Sequence, residues 1–219
     1  MHFRDRADAG RRLGAALRDH VADKPIVLAL PRGGVPVAAA VAQKLGAPLD
    51  LIFVRKIASP KNPELAVGAV VDGVGPTIVR NRELLTLTGI SEAEFDAIAM
   101  RELAEIERRH ELYMGKRAPL DVAGRVVIVV DDGIATGATM RAALRATRAQ
   151  GPARLVLAVP VAFPAALASL RPEADELVCL TSPADFRSVG EFYDDFGQLS
   201  DADVVRLLVP RPMAIATRP

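Results

Sequence analysis

Six near-continuous apolar runs of strand length constrain this chain's fold more than any other feature: PIVLAL (25–30), LDLIFV (49–54), AVGAVV (66–71), RVVIVV (125–130), RLVLAV (154–159) and ELVCL (176–180). A strand with one wet face alternates apolar and polar residues, whereas a run without that alternation is covered on both faces. Between the runs lie segments of helical character at about 5–20, 35–45, 138–150, 164–171 and 200–208, and strands joined through helices pair in parallel. The expected fold is therefore α/β, a doubly wound and mainly parallel sheet of five to six strands. Half of the 219 residues are hydrophobic, enough for one sizeable core and a small appendage but not for two ordinary domains.

Charge removes several classes of partner. Lys and Arg total 28 against 27 for Asp and Glu, so no global field draws the chain to nucleic acid or to an acidic membrane surface, and any anion must be met locally. The single cysteine, Cys179, rules out an intramolecular disulfide framework, suits a reducing compartment and reads as an inert packing residue. The opening MHFRDRADAGRRLG carries charge but no apolar leader segment, so a cytoplasmic protein is expected. The longest uncharged stretch, Leu155 to Leu170, contains Pro160 and Pro164 and is shorter than the ~20 residues a membrane helix needs.

The segment 91–117 differs from the rest. Ser91 and Glu94 form a capping-box pattern, and Phe95, Ile98, Ala99, Leu103, Ile106 and Tyr113 recur at helical spacing on a strongly charged helix whose apolar stripe must cover something. His110 shares that stripe without a partner at ligand spacing and is given no role. The tail VPRPMAIATRP, with three prolines, is expected to be extended or partly ordered.

The chemistry concentrates in VVIVVDDGIATGAT (126–139). In a parallel sheet, ligands gather beyond the carboxyl ends of the strands, where Asp131 and Asp132 fall. The turn that follows offers Gly133 and Gly137 for close backbone approach, Thr136 and Thr139 as hydroxyl donors, and a helix start whose free amides favour an anion. Two carboxylates would repel a phosphate unless a hydroxyl-bearing linker or a divalent cation lies between them; a sugar phosphate satisfies both demands. Ordinary helix capping and turn chemistry is the plainer alternative. A Walker-type cradle is excluded because Ala138 and Thr139 stand where its lysine would be, and no G-x-G-x-x-G fingerprint is present.

The stretch VVIVVDDGIATGATM resembles the PRPP-binding signature of type I phosphoribosyltransferases, and LALPRGGVPVA resembles the pyrophosphate loop and following helix of that family. The resemblance runs from about residue 25 to 200 and is nearest to a bacterial branch known only as predicted phosphoribosyltransferases. It implies one domain over 1–219: a core at about 25–182, a hood from 1–24 and 183–208, the charged helix insertion at 91–117 and the tail 209–219. It also implies that Asp131 and Asp132 hold the ribose 2- and 3-hydroxyls of PRPP, while Gly133, Ile134, Ala135, Thr136, Gly137, Ala138 and Thr139 wrap the 5-phosphate.

The first strand supports this independently, since Arg32, Gly33 and Gly34 make a second glycine turn that opens onto a second helix start. Arg55 and Lys56 follow the second strand; the resemblance gives that position a charge contribution to pyrophosphate, although a solvated strand end is the plain reading. The segment IASPKNPELAVG has no periodicity and fits the family's mobile closing loop, with Lys61 its residue of interest. By the same resemblance, Phe186 matches a base-stacking aromatic and Asp194 a metal-linked aspartate, with Mg2+ as cofactor carried largely by PRPP.

The implied reaction moves the phosphoribosyl group from PRPP to a nitrogen nucleophile and releases pyrophosphate, with Asp131, Asp132, Arg32 and Lys56 as the catalytic group. Purine-salvage members carry an aspartate where this loop has Ala135 and a lysine where Pro160 stands, so a 6-oxopurine acceptor is disfavoured. A PRPP-binding regulator with little catalysis is the second reading, and a hydrolase or phosphorylase acting on a ribose phosphate a weaker third. Expected partners are PRPP, pyrophosphate, a small-molecule acceptor and a second copy of the chain, with no nucleic acid and no membrane.

Overall fold

A computed structural model describes residues 1–72, 76–115 and 117–208, the side chains of Pro63 and Glu64 excepted; the tail from 209 lies outside the described residues. Five strands form the main sheet: β1 (Ile26–Ala29), β2 (Leu49–Leu51), β6 (Val126–Val130), β7 (Arg154–Val161) and β8 (Glu176–Thr181), in the order β2-β1-β6-β7-β8. All four pairings are parallel.

Residues of each central strand alternate between two cores, which is why the runs read as unbroken. Val27, Ala29, Ile128, Val130, Val156 and Ala158 face one layer. Ile26, Leu28, Val127, Val129, Leu155 and Leu157 face the other. Helix α2 (Gly34–Leu45) and helix α1 (Arg6–Ala16) belong to the first layer, α5 (Ala138–Ala149) to the second. Helix α1 starts at an Asp5 cap, whose side chain accepts from the Asp8 amide at 2.6 Å. It ends earlier than the sequence implied, giving way to a 3-10 turn at Arg18–Asp23.

The run at 66–71 is a strand but not of the main sheet. It belongs to β4 (Asn62–Val71), which lies between β3 (Val54–Ser59) and β5 (Thr77–Arg80) in a separate antiparallel sheet. One face of this sheet meets α4 (Glu92–Met114), and α5 also packs against β3 and β4. Coverage on both sides produces a continuous apolar run whether the pairing is parallel or not. The apolar run at 49–54 likewise splits, with β2 ending at Leu51 and buried Ile52 and Phe53 handing the chain to β3.

The segment IASPKNPELAVG, expected to lack regular structure, lies instead in a hairpin over residues 54–71 that turns at Pro60 and Lys61. Bulges near Ile57 to Ser59 break its register, which is why no strand periodicity was visible.

Helix α4 begins with the capping box anticipated at Ser91 and Glu94, and its stripe covers the antiparallel sheet. A β-carbon on Gly68 would stand 2.8 Å from the Phe95 ring. The rings of His110 and Phe53 are 6.0 Å apart, so His110 packs against the sheet side of the helix. Short α3 (Arg82–Thr88) precedes it, and α6 (Pro164–Leu170) and α7 (Asp201–Leu208) complete the chain. Half-buried Cys179 donates to the Thr181 carbonyl at 3.1 Å, and burial pushes its thiol up, away from the reactive thiolate.

The two ends of the chain meet. Phe3 bridges Tyr193, its amide donates to the Phe192 carbonyl, and the Asp194 and Asp195 amides donate to the carbonyls of Phe3 and Arg4, each at 2.9 Å. Phe3, Ala9, Val161 and Tyr193 form a third, small core with Phe186, Val189, Phe192 and Phe196. No helix among the described residues is long and apolar enough to cross a membrane.

Candidate functional site

Strands β1 and β6 are neighbours, so their carboxyl ends present two loops side by side. The first loop leaves β1 through Leu30, whose amide donates to the Val130 carbonyl at 3.0 Å. It then crosses a cis peptide between Pro31 and Arg32 and enters α2 at Gly34. The second passes Asp131 and Asp132 and enters α5 after Gly137, whose φ of +79° is open to glycine at little cost.

Neither α2 nor α5 has a side-chain cap at its start, whereas α1, α3 and α4 are capped by Asp5, Asn81 and Ser91. The start of α5 thus leaves first-turn amides for an external acceptor, whereas at α2 the Gly34 and Val35 amides already donate to the Leu30 and Arg32 carbonyls at 3.0 and 3.1 Å and Pro36 has none. Gly33 and Gly34 have a packing reason as well. A β-carbon on Gly34 would lie 2.8 Å from the Val130 carbonyl oxygen, and one on Gly33 would collide with the Asp132 carboxylate.

The acidic pair sits between the loops. Asp131 Oδ1 accepts from the Asp132 amide at 2.8 Å. Burial, and then the Asp132 charge, hold the Asp131 carboxyl well above the usual range. Burial raises Asp132 too, against the pull of Arg6, whose Nε donates to Asp132 Oδ2 at 2.8 Å. Sequence reasoning missed Arg6. Its signal was a cation in the first turn of α1, where the helix dipole disfavours positive charge. Tyr193 was missed as well; its hydroxyl donates to the Asp132 carbonyl at 2.5 Å, and burial raises its ionisation far above the ordinary phenol range.

Along the second loop, Ala135, Thr136, Ala138 and Thr139 are exposed. Gly133 lies against Val189, where a β-carbon would come within 2.5 Å. Ile134 differs from its expected ligand role. Its side chain is buried, its amide donates to Val161 and its carbonyl accepts from Phe163, so it has no free donor for a phosphate and instead moors the loop to β7.

Arg32 is half-exposed, with Nη1 3.8 Å from Asp201 Oδ1, and Tyr113 donates a short hydrogen bond to the same carboxylate. Arg55 and Lys56 point to opposite faces of β3, as consecutive strand residues must. Arg55 is engaged with Glu102 of α4 at 2.7 Å, while Lys56 is exposed. Lys61, at the hairpin turn, is exposed and its charge acts on Glu94 at the start of α4.

Phe186 stacks on Phe192 with centroids 5.7 Å apart and tilts against Phe163 at 5.8 Å, an aromatic group beside the Val189 that touches Gly133. Asp194 is exposed and pairs with His2 at 3.0 Å. Among the described residues no three His, Cys, Asp or Glu side chains are clustered to hold a metal ion. The wide hollow of about 710 Å³ lined by Arg80, Arg82, Ser91 and Glu92 shares no residue with the two loops; shallow anion cradles at strand ends are not enclosed volumes.

Fold and site together define a doubly wound α/β protein in which two glycine-containing loops flank a part-buried acidic pair at the carboxyl edge of the sheet. The family model described as a phosphoribosyl transferase domain matches residues 4–196, and the chain belongs to that family. It is 45% identical over 207 residues to proteins of Mycobacterium tuberculosis strains CDC 1551 / Oshkosh and H37Rv, each named "Putative phosphoribosyl transferase"; the match covers 94% of this chain and 46% of each relative, so the chain spans about half their length. A crystal structure of a Thermus thermophilus protein, TT1426, superposes with a TM-score of 0.84 at 44% identity, over 95% of this chain and 98% of that one. A Neisseria gonorrhoeae protein solved with bound ppGpp shares the fold at a TM-score of 0.52 and 15% identity, over 95% and 97% of the two chains.

Proposed function

We propose that this chain is an Mg-dependent phosphoribosyltransferase that transfers the 5-phosphoribosyl group of PRPP to a nitrogen nucleophile and releases pyrophosphate. The observation that carries the reading is the meeting of the Arg32 loop and the 133–139 loop on adjacent strands, with the part-buried carboxylates of Asp131 and Asp132 between them and the uncapped start of α5 beyond. That arrangement suits a ligand with two phosphorylated arms joined by a diol.

In this reading the Asp131 and Asp132 carboxylates accept the ribose hydroxyls. The amides at 135–139, with Thr136 and Thr139, receive the 5-phosphate. Arg32 and its loop receive pyrophosphate, joined by Lys56 and Lys61. Cleavage of the anomeric carbon–oxygen bond puts positive character on the ribose and negative charge on the leaving group. The acidic pair lies beside the first and the basic loop beside the second, so the residues stabilise both without a covalent intermediate.

The donor chemistry fits a hard cation that arrives on its ligand: the candidate side chains offer oxygen, and Asp194 stands exposed, paired with His2 at the surface. Asp194 would hold Mg2+, which supplies charge neutralisation on the departing pyrophosphate when bound. The acceptor would stack against Phe186, and Ala135 argues against a 6-oxopurine that needs a carboxylate there. A homodimer working in the cytoplasm completes the proposal.

The test is to incubate the chain with PRPP and Mg2+ across a panel of nucleobases and amines and to follow pyrophosphate. Release with one acceptor supports transfer. Tight PRPP binding with no release under any acceptor selects instead a PRPP-binding regulator.

A further inference from the structure

Asp132 is gripped from two sides by the ends of the chain. Arg6 donates from Nε to Asp132 Oδ2 at 2.8 Å and from Nη1 to the Gly197 carbonyl at 3.0 Å, and its guanidinium lies over Phe196 with Cζ 3.8 Å from the ring centroid. Tyr193 donates to the Asp132 carbonyl at 2.5 Å, while its ring packs on Phe196 at 5.0 Å and Phe3 at 5.4 Å. Both members of the ion pair are nearly buried, with 12% and 14% of their side-chain surfaces exposed.

Stability alone is a poor account of this contact. Burying two charges costs desolvation that their attraction recovers only in part, and a cation in the first turn of a helix opposes the dipole. What Arg6 accomplishes is local. Two carboxylates crowded together in a buried site favour taking up a proton, and a protonated carboxyl is a weaker acceptor for a hydroxyl than a charged one. The guanidinium opposes that uptake at Asp132, where burial still holds the carboxyl above its usual range, and by donating to Oδ2 it fixes the direction in which Oδ1 points.

We propose that Arg6, backed by Tyr193, is a positioning residue of the donor site: it orients the Asp132 carboxylate so that its second oxygen accepts a ribose hydroxyl. The inference rests on the PRPP reading above. It makes the diol site dependent on both chain ends, since Arg6 and Tyr193 are brought together by the pairing of Phe3 with Tyr193. Arg32, in the pyrophosphate loop, pairs with Asp201 instead and stands outside the clasp.

That separation supplies the test. Calorimetry with ribose 5-phosphate and, separately, with pyrophosphate is run on the full chain and on Arg6→Ala, Arg6→Lys and Tyr193→Phe, with melting temperatures recorded for each. Arg6→Ala is expected to weaken ribose 5-phosphate by about tenfold or more, the scale of one charge-assisted hydrogen bond, and to leave pyrophosphate within about twofold. Arg6→Lys should recover part of the loss, and Tyr193→Phe, which keeps the ring, should show a smaller loss on the same ligand alone.

Unchanged ribose 5-phosphate affinity overturns the clasp, and so do parallel losses on both ligands, which indicate a loosened fold. Should Arg6→Ala not fold, the other two variants are read by the same rule. An unsubstituted chain that binds neither ribose 5-phosphate nor PRPP overturns the donor-site reading and the clasp with it; binding that Arg6 does not influence overturns the clasp alone.

Discussion

A β-carbon on Gly33 would stand 2.2 Å from Oδ2 of Asp132 and 2.7 Å from its Cγ, so the first loop meets the second only because position 33 has no side chain. The backbone there, at φ −58° and ψ −40°, is one that alanine adopts freely. Gly33→Ala is therefore a steric probe without a conformational penalty. The methyl group must push the loops apart or drive Asp132 off Arg6. We expect a loss of about 1–3 kcal/mol in stability, the usual range for overpacking, and at least a tenfold loss of PRPP affinity, about 1.4 kcal/mol or more. Thermal melting and calorimetry on the same sample measure the two, and retained affinity would show that the contact is incidental.

Asp131 sets the sign of a second prediction. Its folded value is raised well above 3.8, first by burial and then by Asp132, so the folded chain holds this proton more tightly than the unfolded chain. Its contribution is fully present below the unfolded value and is lost as pH rises through the folded one. Asp131→Asn cannot ionise and still offers an oxygen to the Asp132 amide. At neutral pH it should melt above the unsubstituted chain, by roughly 2–4 °C for each kcal/mol relieved, with the difference vanishing on acidification and PRPP binding lost. Glu105, lowered to about 2 by hydrogen bonds from Arg108 and Arg109, and Asp175, lowered chiefly by Arg148, act in the opposite sense on the absolute curve. The difference between variant and parent isolates Asp131. A variant melting below its parent at every pH would refute the assignment.

The sequence carried the parts of the site that depend on one strand and the turn after it. The acidic pair, Gly33, Gly34 and the 135–139 loop are contiguous with β1 and β6, and local pattern suffices to place them. It did not carry contacts between distant segments. Arg6 reaches Asp132 across 126 positions, and Tyr193 reaches it across 61, so neither leaves a periodicity. Nor did it separate two kinds of coverage, and the 66–71 run under α4 read like a main-sheet strand. Ile134 was misjudged for a related reason: its backbone is spent on a bridge to Ala162 that only the fold creates.

Asp201 ties the loop between β1 and α2 to α4, since it accepts from Tyr113 and lies 3.8 Å from Arg32. Burial first, and Asp201 second, push the Tyr113 phenol up to about 12. With only two tyrosines and no tryptophan in the chain, phenolate absorbance reports on these side chains without interference. The folded protein should show no step near the ordinary phenol value of about 10, and Asp201→Asn should move the Tyr113 step downward while burial keeps it above that value. The same variant frees Arg32 from a surface pair worth at most about 1 kcal/mol, so pyrophosphate should bind up to a few-fold more tightly. A step near the ordinary value in the parent would show that Tyr113 is not enclosed.

Phe186 offers a way to separate acceptor from donor. Its ring stacks on Phe192 and tilts against Phe163, and it stays half-exposed beside Val189, the residue that touches Gly133. The ring is thus held by aromatic neighbours and stays part-exposed, which suits a stacking platform for a flat heterocycle. Stacking of a base on such a ring is worth about 1–3 kcal/mol. Phe186→Ala should raise the acceptor KM by about tenfold, while PRPP affinity, which the proposed function assigns to the acidic pair and the two loops, stays within about twofold. A small melting decrease should accompany it, because the ring leaves a half-exposed cluster and not the sealed core. Equal losses for acceptor and PRPP would mean that the aromatic group supports the 133–139 loop through Val189, and the stacking role would then fall.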